Sequence, residues 1–461
     1  MTTSFSKARW RLVVLGVIAG TAFFLARPWV YKALGPVTFE IVASLSRLTE
    51  PKPKPTPAPP RLPRPAGQPP SGGWSLGEAH TYPFDGLRLG DVDSGVVYAA
   101  DRHDVVALTL DGQERWRKAL DSRATRVEPP RLFGSSLLVS GGDKVSVLSL
   151  DGKVISETAV PGGNETGLLA FANSRFVVRG SGNTVRALSA DGRELWARAF
   201  EKHRLGGVAM DHEGRTYIAV EGRVLAVDAT GRDLWKYGGK DLEYSGPTAY
   251  LLAVGPNGVL YGTSAWSIVA LQPSDGHVLW QDISGGACAG DGISWHADDV
   301  YTACNQTVTA HAADGRARWQ VKLGGTSRLL PPVVDESGTV YVAATYLAGS
   351  GNGYGALTAV SDASGKTVWT TILERPLTTR PLKGTDGVLY VGGDNRTYAV
   401  SPAGQLLWER QVQPRDNGAL PVTRLEPTAV GIVGSADRIF MIPVAISTEA
   451  PRTFSWRRTW Y

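Results

Sequence analysis

From residue 87 to residue 444 the apolar residues come in short alternating runs, each closed by glycine, aspartate or asparagine, and no long amphipathic helical pattern interrupts them. Alternation with a period of two in runs rich in Val, Ile, Tyr and Trp marks strands, and the closing residues are those that turn a chain. Residues 388–412, VLYVGGDNRTYAVSPAGQLLWERQV, show the unit. Residues 388–391 and 397–400 are strands separated by Gly-Gly-Asp-Asn, and Pro402-Ala403-Gly404 turns the chain into a third strand at Leu406-Leu407-Trp408.

Versions of this unit recur. A Gly is followed four residues later by Trp at Gly112/Trp116, Gly192/Trp196, Gly231/Trp235, Gly276/Trp280, Gly315/Trp319, Gly365/Trp369 and Gly404/Trp408, while Gly152 heads an eighth copy in which Ser156 replaces the Trp. These glycines lie 40, 40, 39, 45, 39, 50 and 39 residues apart, the period of a four-stranded propeller blade and too long for leucine-rich or ankyrin units. A Tyr recurs in one strand of most copies, at Tyr98, Tyr217, Tyr261, Tyr301, Tyr341 and Tyr390, with Phe176 in the third. One such sheet cannot bury both faces, whereas sheets stacked around a ring cover one another. The expected fold is therefore all-β, a propeller of four-stranded antiparallel blades. Eight blades are predicted, and a partial copy at 430–444 leaves nine units as the alternative, with Trp74 or Trp456 placed to supply a missing outer strand. Each repeated Trp is expected to pack between blades with its indole N–H on a backbone acceptor.

Composition narrows the function. The chain has 461 residues, 54 Gly, 14 Trp and a net charge of +5, but its Lys and Arg are scattered through turns without stacking aromatics, which argues against nucleic acid as a partner. Only Cys288 and Cys304 are present, on the first two strands of the sixth blade, open to a disulfide within that blade or to two separate thiols. No Cys-x-x-Cys or His/Cys cluster points to a metal.

Lys7, Arg9 and Arg11 precede an uncharged run at 12–26, followed by Arg27 and Pro28. With no convincing small-x-small cleavage site and no lipidation cysteine, this reads as an uncleaved signal anchor in preference to a cleaved secretory signal, so residues 1–11 are expected in the cytoplasm and 12–31 in the membrane. Residues 32–50 form a juxtamembrane amphipathic segment, and 51–73 a proline-rich spacer whose 51–72 stretch holds ten prolines. As polyproline II it would reach about 60 to 70 Å. The propeller then occupies 74–446 and a tail 447–461, on the periplasmic or extracellular side of a single-pass anchor in the cell membrane.

The pattern aliphatic-Tyr-Val-Gly, then Ala-Leu/Val-Asp-x-x-Gly-x-x-Leu-Trp, is best kept at 215–235, 259–280 and 388–408. It resembles the repeat of the pyrroloquinoline-quinone-like β-propellers across residues 87–444. The resemblance implies a fold shared by quinone- and calcium-dependent dehydrogenases and by non-catalytic scaffolds of the BamB type. The dehydrogenases commonly carry adjacent cysteines over the cofactor and calcium-binding acids in long insertions, whereas this chain has no adjacent cysteines. Asp111, Asp151, Asp191, Asp275 and Asp314 sit at the repeated turn, and Asp298-Asp299 at a hairpin turn. His103, His203, His212, His277, His296 and His311 are spread over different copies. The expectation is no catalysis, no cofactor and no metal: a membrane-anchored propeller acting as a protein-binding scaffold in the bacterial envelope. A dehydrogenase with a degenerate site and a polysaccharide- or cell-wall-binding module are the alternatives. BamB itself is held by a lipidated cysteine, and this chain departs from it there.

A partner surface is expected where the repeat is irregular. The long spacings come from expansions at 237–249, between blades, and 346–354, within the seventh copy, both on the face opposite the Asp-Gly turns. They bring Tyr237, Tyr244, Tyr250, Tyr346 and Tyr354 towards one rim, and tyrosines held on a rigid scaffold give large contact area at low entropic cost.

Overall fold

A computed structural model describes residues 80–81 and 88–443, apart from short internal stretches of which the longest are 239–250 and 413–421. The spans expected to form the anchor, the juxtamembrane segment, the spacer and the tail lie outside the described residues, as do Trp74 and Trp456.

Every strand is antiparallel to its neighbours, and the strands form nine sheets in a propeller. Blade 1 runs through Arg88–Asp93, Val96–Ala100, Asp104–Thr109 and Glu114–Ala119 from the innermost strand outward. Blades 2 to 8 repeat that order, ending with Leu382–Lys383, Leu389–Gly393, Arg396–Val400 and Leu406–Gln411 in blade 8. Some inner strands are reduced: blade 7 divides its first strand into Arg328–Leu329 and Val333–Val334, both paired to Thr339–Tyr346.

The count is nine, and the expectation of eight is corrected. The ninth blade takes Arg424–Thr428, Gly431–Ser435 and Ile439–Pro443 from the end of the chain, and its outermost strand is His80–Thr81, in register with Phe440 and Met441. No Gly-x-x-x-Trp follows the ninth copy because its fourth strand comes from the other end of the chain. That exchange joins the two ends and leaves no open blade face.

The burial pattern explains why these runs are strands. Second and third strands are buried on both faces, as in VVYAA at Val96–Ala100 and IVAL at Ile268–Leu271, while fourth strands alternate, as in ERWRKA at Glu114–Ala119. The apolar residues gather in nine clusters, one between each pair of neighbouring blades. Leu89, Val97 and Val106 of blade 1 meet Val433 and Met441 of blade 9, which closes the ring.

The Gly and Trp of the repeat meet between blades, not within one. Gly152, Gly231, Gly276, Gly315, Gly365 and Gly404 have φ between 66° and 84°, and a β-carbon on each would lie within 2.7 Å of the Trp of the preceding blade. The glycine therefore supplies both a left-handed turn and a flat seat for an indole. Trp116, Trp235, Trp319 and Trp369 each donate the indole N–H to a carbonyl of the next blade's turn, on Leu150, Pro273, Asp362 and Pro402, at 2.6 to 3.0 Å. Each of these rings also leans on the recurrent Tyr of its own blade, as Trp235 does on Tyr217 at 5.8 Å between centroids. Trp196 is buried over Gly231, and Trp408 leans on Tyr390 and packs against the core shared by blades 8 and 9. Where Ser156 replaces the Trp, the Thr158 hydroxyl donates to the Gly192 carbonyl instead.

Candidate functional site

Blade 7 departs most from the repeat. Its second and third strands, Thr339–Tyr346 and Tyr354–Ser361, are eight residues each and pair along their whole length, whereas blade 8 has five in each. The expansion at 346–354 is thus partly regular strand, with 347–352 outside the described residues. The sheet extends because Thr345 and Gly355 are held from the next blade. The Thr345 hydroxyl donates to the Leu377 carbonyl at 2.9 Å and accepts the Leu377 N–H at 3.2 Å, and a β-carbon on Gly355 would collide with Leu377 and the Arg375 carbonyl. At the end of this ladder Tyr346 and Tyr354 are register partners, their rings parallel with centroids 4.7 Å apart. Both are half-buried, and burial, followed by Tyr354, raises the pKa of the Tyr346 phenol.

Of the other predicted tyrosines, Tyr237 does not join them. Tyr237 closes the outer strand of blade 4, Asp233–Tyr237, and packs against the core between blades 4 and 5, with two whole blades between it and blade 7. Tyr244 and Tyr250 lie outside the described residues. Cys288 and Cys304 are register partners in blade 6, and Cys304 is disulfide-bonded in a chain with only these two cysteines.

The turn aspartates named from the sequence cap their own turns, with Asp111, Asp151 and Asp191 accepting from Thr109, Ser149 and Ser189, and Asp275 and Asp314 from the His277 and Arg316 N–H groups. Sequence reasoning missed the aspartates that are buried: Asp91, Asp211 and Asp335. Asp211 accepts from the N–H groups of Glu213 and Arg215, the Arg215 guanidinium and the Tyr217 hydroxyl, at 2.7 to 3.0 Å. Asp335 accepts from Ser337, the Thr339 N–H, the Tyr341 hydroxyl and Lys383 of blade 8, at 2.6 to 3.0 Å. Burial opposes the charge on Asp335, but the Lys383 ammonium and then Ser337 and Thr339 hold its pKa down to about 2, while burial and that carboxylate push Tyr341 up to about 12. The spacing Asp-x-x-Gly-x-x-Tyr at Asp211/Tyr217 and Asp335/Tyr341 was the available signal.

Asp91 sits at the ring closure. Its carboxylate takes Arg131 of blade 2 at 3.3 Å, Arg424 of blade 9 at 2.9 Å and the Leu132 N–H at 2.8 Å, so one carboxylate ties three blades together. Burial, and next the charge of Arg424, lower the Arg131 pKa. His311, 1% exposed, stacks flat on Trp280 of the preceding blade at 5.3 Å, with Nε2 3.2 Å from the Thr302 hydroxyl and 3.8 Å from Asp282. Burial lowers its pKa against the pull of Asp282 and the Gly315 carbonyl.

A quinone with calcium needs carboxylates with lone pairs to spare and a surface to lie on. The described residues do not fit that group: Asp91, Asp211 and Asp335 are engaged by protein donors, no adjacent cysteines exist, and no group of three or more His, Cys, Asp or Glu among the described residues is arranged to hold a metal. What the arrangement offers is a rigid ring with one blade extended and a stacked tyrosine pair at the tip of its described strands.

A family model described as outer membrane protein assembly factor BamB matches residues 141–289 and 304–440. No curated protein matches the chain. Among solved structures the chain is similar to BamB from Moraxella catarrhalis at 14% identity, covering 80% of this chain and 99% of that one with a TM-score of 0.46. It is similar to a computationally designed protein at 13% identity, 79% and 98% coverage and a TM-score of 0.49. A quinohemoprotein alcohol dehydrogenase from Pseudomonas putida is similar at 14% identity, 83% and 78% coverage and a TM-score of 0.46.

Proposed function

The chain belongs to the family of the outer membrane protein assembly factor BamB, and from that premise we propose that it is a non-catalytic, membrane-tethered propeller of the bacterial envelope that holds a protein partner on the face carrying the blade 7 hairpin. The observation that carries this reading is the extended ladder ending in Tyr346 and Tyr354, rigid aromatic surface on the face opposite the Asp-Gly turns. The engagement of each buried aspartate among the described residues by protein donors supports a scaffold over a dehydrogenase, since an acid already accepting several hydrogen bonds has little left for substrate or calcium. The disulfide at Cys304 supports placement on the oxidising side of the membrane, as the apolar run at 12–26 and the proline-rich spacer do.

The test is affinity purification of the full chain from envelope extracts beside a variant with Tyr346→Ser and Tyr354→Ser. The variant should keep the parent's β-sheet circular dichroism spectrum, with a lowered melting temperature from the lost ring stack, and lose the proteins that co-purify with the parent. An unchanged set of co-purifying proteins would remove the hairpin as the contact. Stoichiometric quinone uptake in the presence of calcium, with dye reduction on an alcohol or sugar, would replace the scaffold reading with the dehydrogenase.

A further inference from the structure

Among the described residues each blade ends in an outer strand that has a sheet neighbour on one side, and such edges pair with other chains unless something blunts them. In this ring the blunting is visible strand by strand. ERWRKA, VISETA, ELWARA, DLWKY, VLWQD, ARWQVK and LLWERQ, the outer strands of blades 1 to 6 and 8, each carry at least one charged residue. The closing strand of blade 9 is only two residues long.

Blade 7 is the exception. Its outer strand, Thr367–Leu373, reads TVWTTIL: at seven residues it is the longest outer strand described and has no charge. Four of the seven are β-branched Thr or Val on its first five positions and Ile372 adds a fifth, the composition that favours pairing. Val368 is 61% exposed, the most exposed of the large apolar side chains among the described residues, and Thr367 and Thr370 are exposed beside it. One face is committed to blade 8, with Trp369 bonded to the Pro402 carbonyl and Thr371 to the Gly404 carbonyl, so the strand is fixed in place with its outer edge away from the sheet.

The chemistry of an occupant follows from the strand itself. An edge without charge rejects strands that bring charge into the new ladder, where it would be desolvated without a partner. The uncharged edge of matching length on this page is the same strand in another molecule. Antiparallel pairing about a two-fold axis at Thr370 sets Val368 opposite Ile372 and Trp369 opposite Thr371, with no like-charge contact anywhere along it, and a two-fold axis makes the contact closed and self-limiting. We propose that the outer edge of blade 7 is a self-association strand at which a second copy of this chain adds antiparallel, joining two blades into one continuous sheet.

The full chain in detergent is the material for the test. Thr370→Cys should yield an interchain disulfide on mild oxidation, seen as a dimer on a non-reducing gel, while Gln320→Cys, the equivalent exposed position on the charged outer strand of blade 6, should not. Light scattering should give a dimeric mass for the parent and half that mass for Val368→Lys, whose melting temperature should stay unchanged because the side chain is exposed. A parent that is monomeric throughout the concentration range overturns the proposal. So does a Val368→Lys variant that remains dimeric, which would place association elsewhere in the chain, or equal cross-linking through Gln320→Cys. These readouts are independent of the Tyr346 and Tyr354 variant, so failure here leaves the scaffold reading standing.

Discussion

If the ring is held by an indole seated on the next blade's glycine, the two residues must be energetically coupled although 41 positions separate Trp235 from Gly276. Trp235 is 9% exposed, leans on Tyr217 at 5.8 Å and donates to the Pro273 carbonyl at 2.8 Å. Trp235→Ala should cost about 3 to 5 kcal/mol as a large-to-small core change, of which about 1 kcal/mol is the lost hydrogen bond. Gly276→Ala meets two penalties, a left-handed φ of 75° and a β-carbon 2.5 Å from the Trp235 ring. The first costs about 1 to 2 kcal/mol for an L residue and the overpacking about 1 to 3 kcal/mol more. Gly258→Ala isolates the first penalty, since Gly258 has a φ of 78° and nothing within 4 Å of its β-carbon position. In the Trp235→Ala background the clash disappears while the strain stays, so Gly276→Ala should then cost no more than Gly258→Ala. The double-mutant cycle should show about 1 to 3 kcal/mol of coupling. Urea midpoints for the four cycle members, followed by circular dichroism, measure it. Costs that add to within about 0.5 kcal/mol would refute the seat and leave the Trp as a local core residue.

Acid should act through two groups. The folded-state pKa of Asp335 is about 2, below the ordinary value of 3.8, so its contribution of about 2 kcal/mol is present above pH 4 and lost as the pH falls through 2; Lys383→Met should reduce that stability loss, read from melting curves at successive pH values. His311 has a lowered pKa through burial, so stability held by its neutral form is complete above its ordinary value of 6.5 and falls as the pH drops below it; His311→Leu should flatten the melting temperature between about pH 7 and 5. Reduction of the disulfide at Cys304 should lower stability by about 2 to 3 kcal/mol, measured as a drop in urea midpoint with dithiothreitol that Cys304→Ser abolishes.

The repeat was legible because its two strongest constraints are local in sequence: a glycine at positive φ and a Trp four residues later can be counted without knowing what either touches. The partner of each was not, since the Trp serves the next copy's glycine. The blade count failed for a related reason. His80–Thr81 is too short to alternate and pairs with Phe440 and Met441 at the far end of the chain, so nothing nearby marks it as a strand. The expansion at 346–354 reads as loop from its Gly, Ser and Asn residues, yet Tyr346 and Tyr354 extend the ladder because Leu377 of the next blade holds Thr345 in place. Two of the buried aspartates, Asp211 and Asp335, were legible in principle, through a Tyr six residues downstream, but the same residue type recurs at most outer turns and the two roles differ in burial. A repeat protein makes its own comparison, since every blade meets nearly the same environment and a departure from the common pattern must answer to something other than the fold. His311 stands where the other copies place Leu or Val, at Leu108, Leu148, Leu188, Val227, Leu271, Val360 and Val400, and it introduces a titrating group into an interface that needs none. Thr367–Leu373 drops the charge that the other full-length outer strands keep. Packing accounts for neither change, because seven interfaces are built with an aliphatic residue at the first position and seven blades are built with a charged edge at the second; the stability of the ring would be served equally well without them.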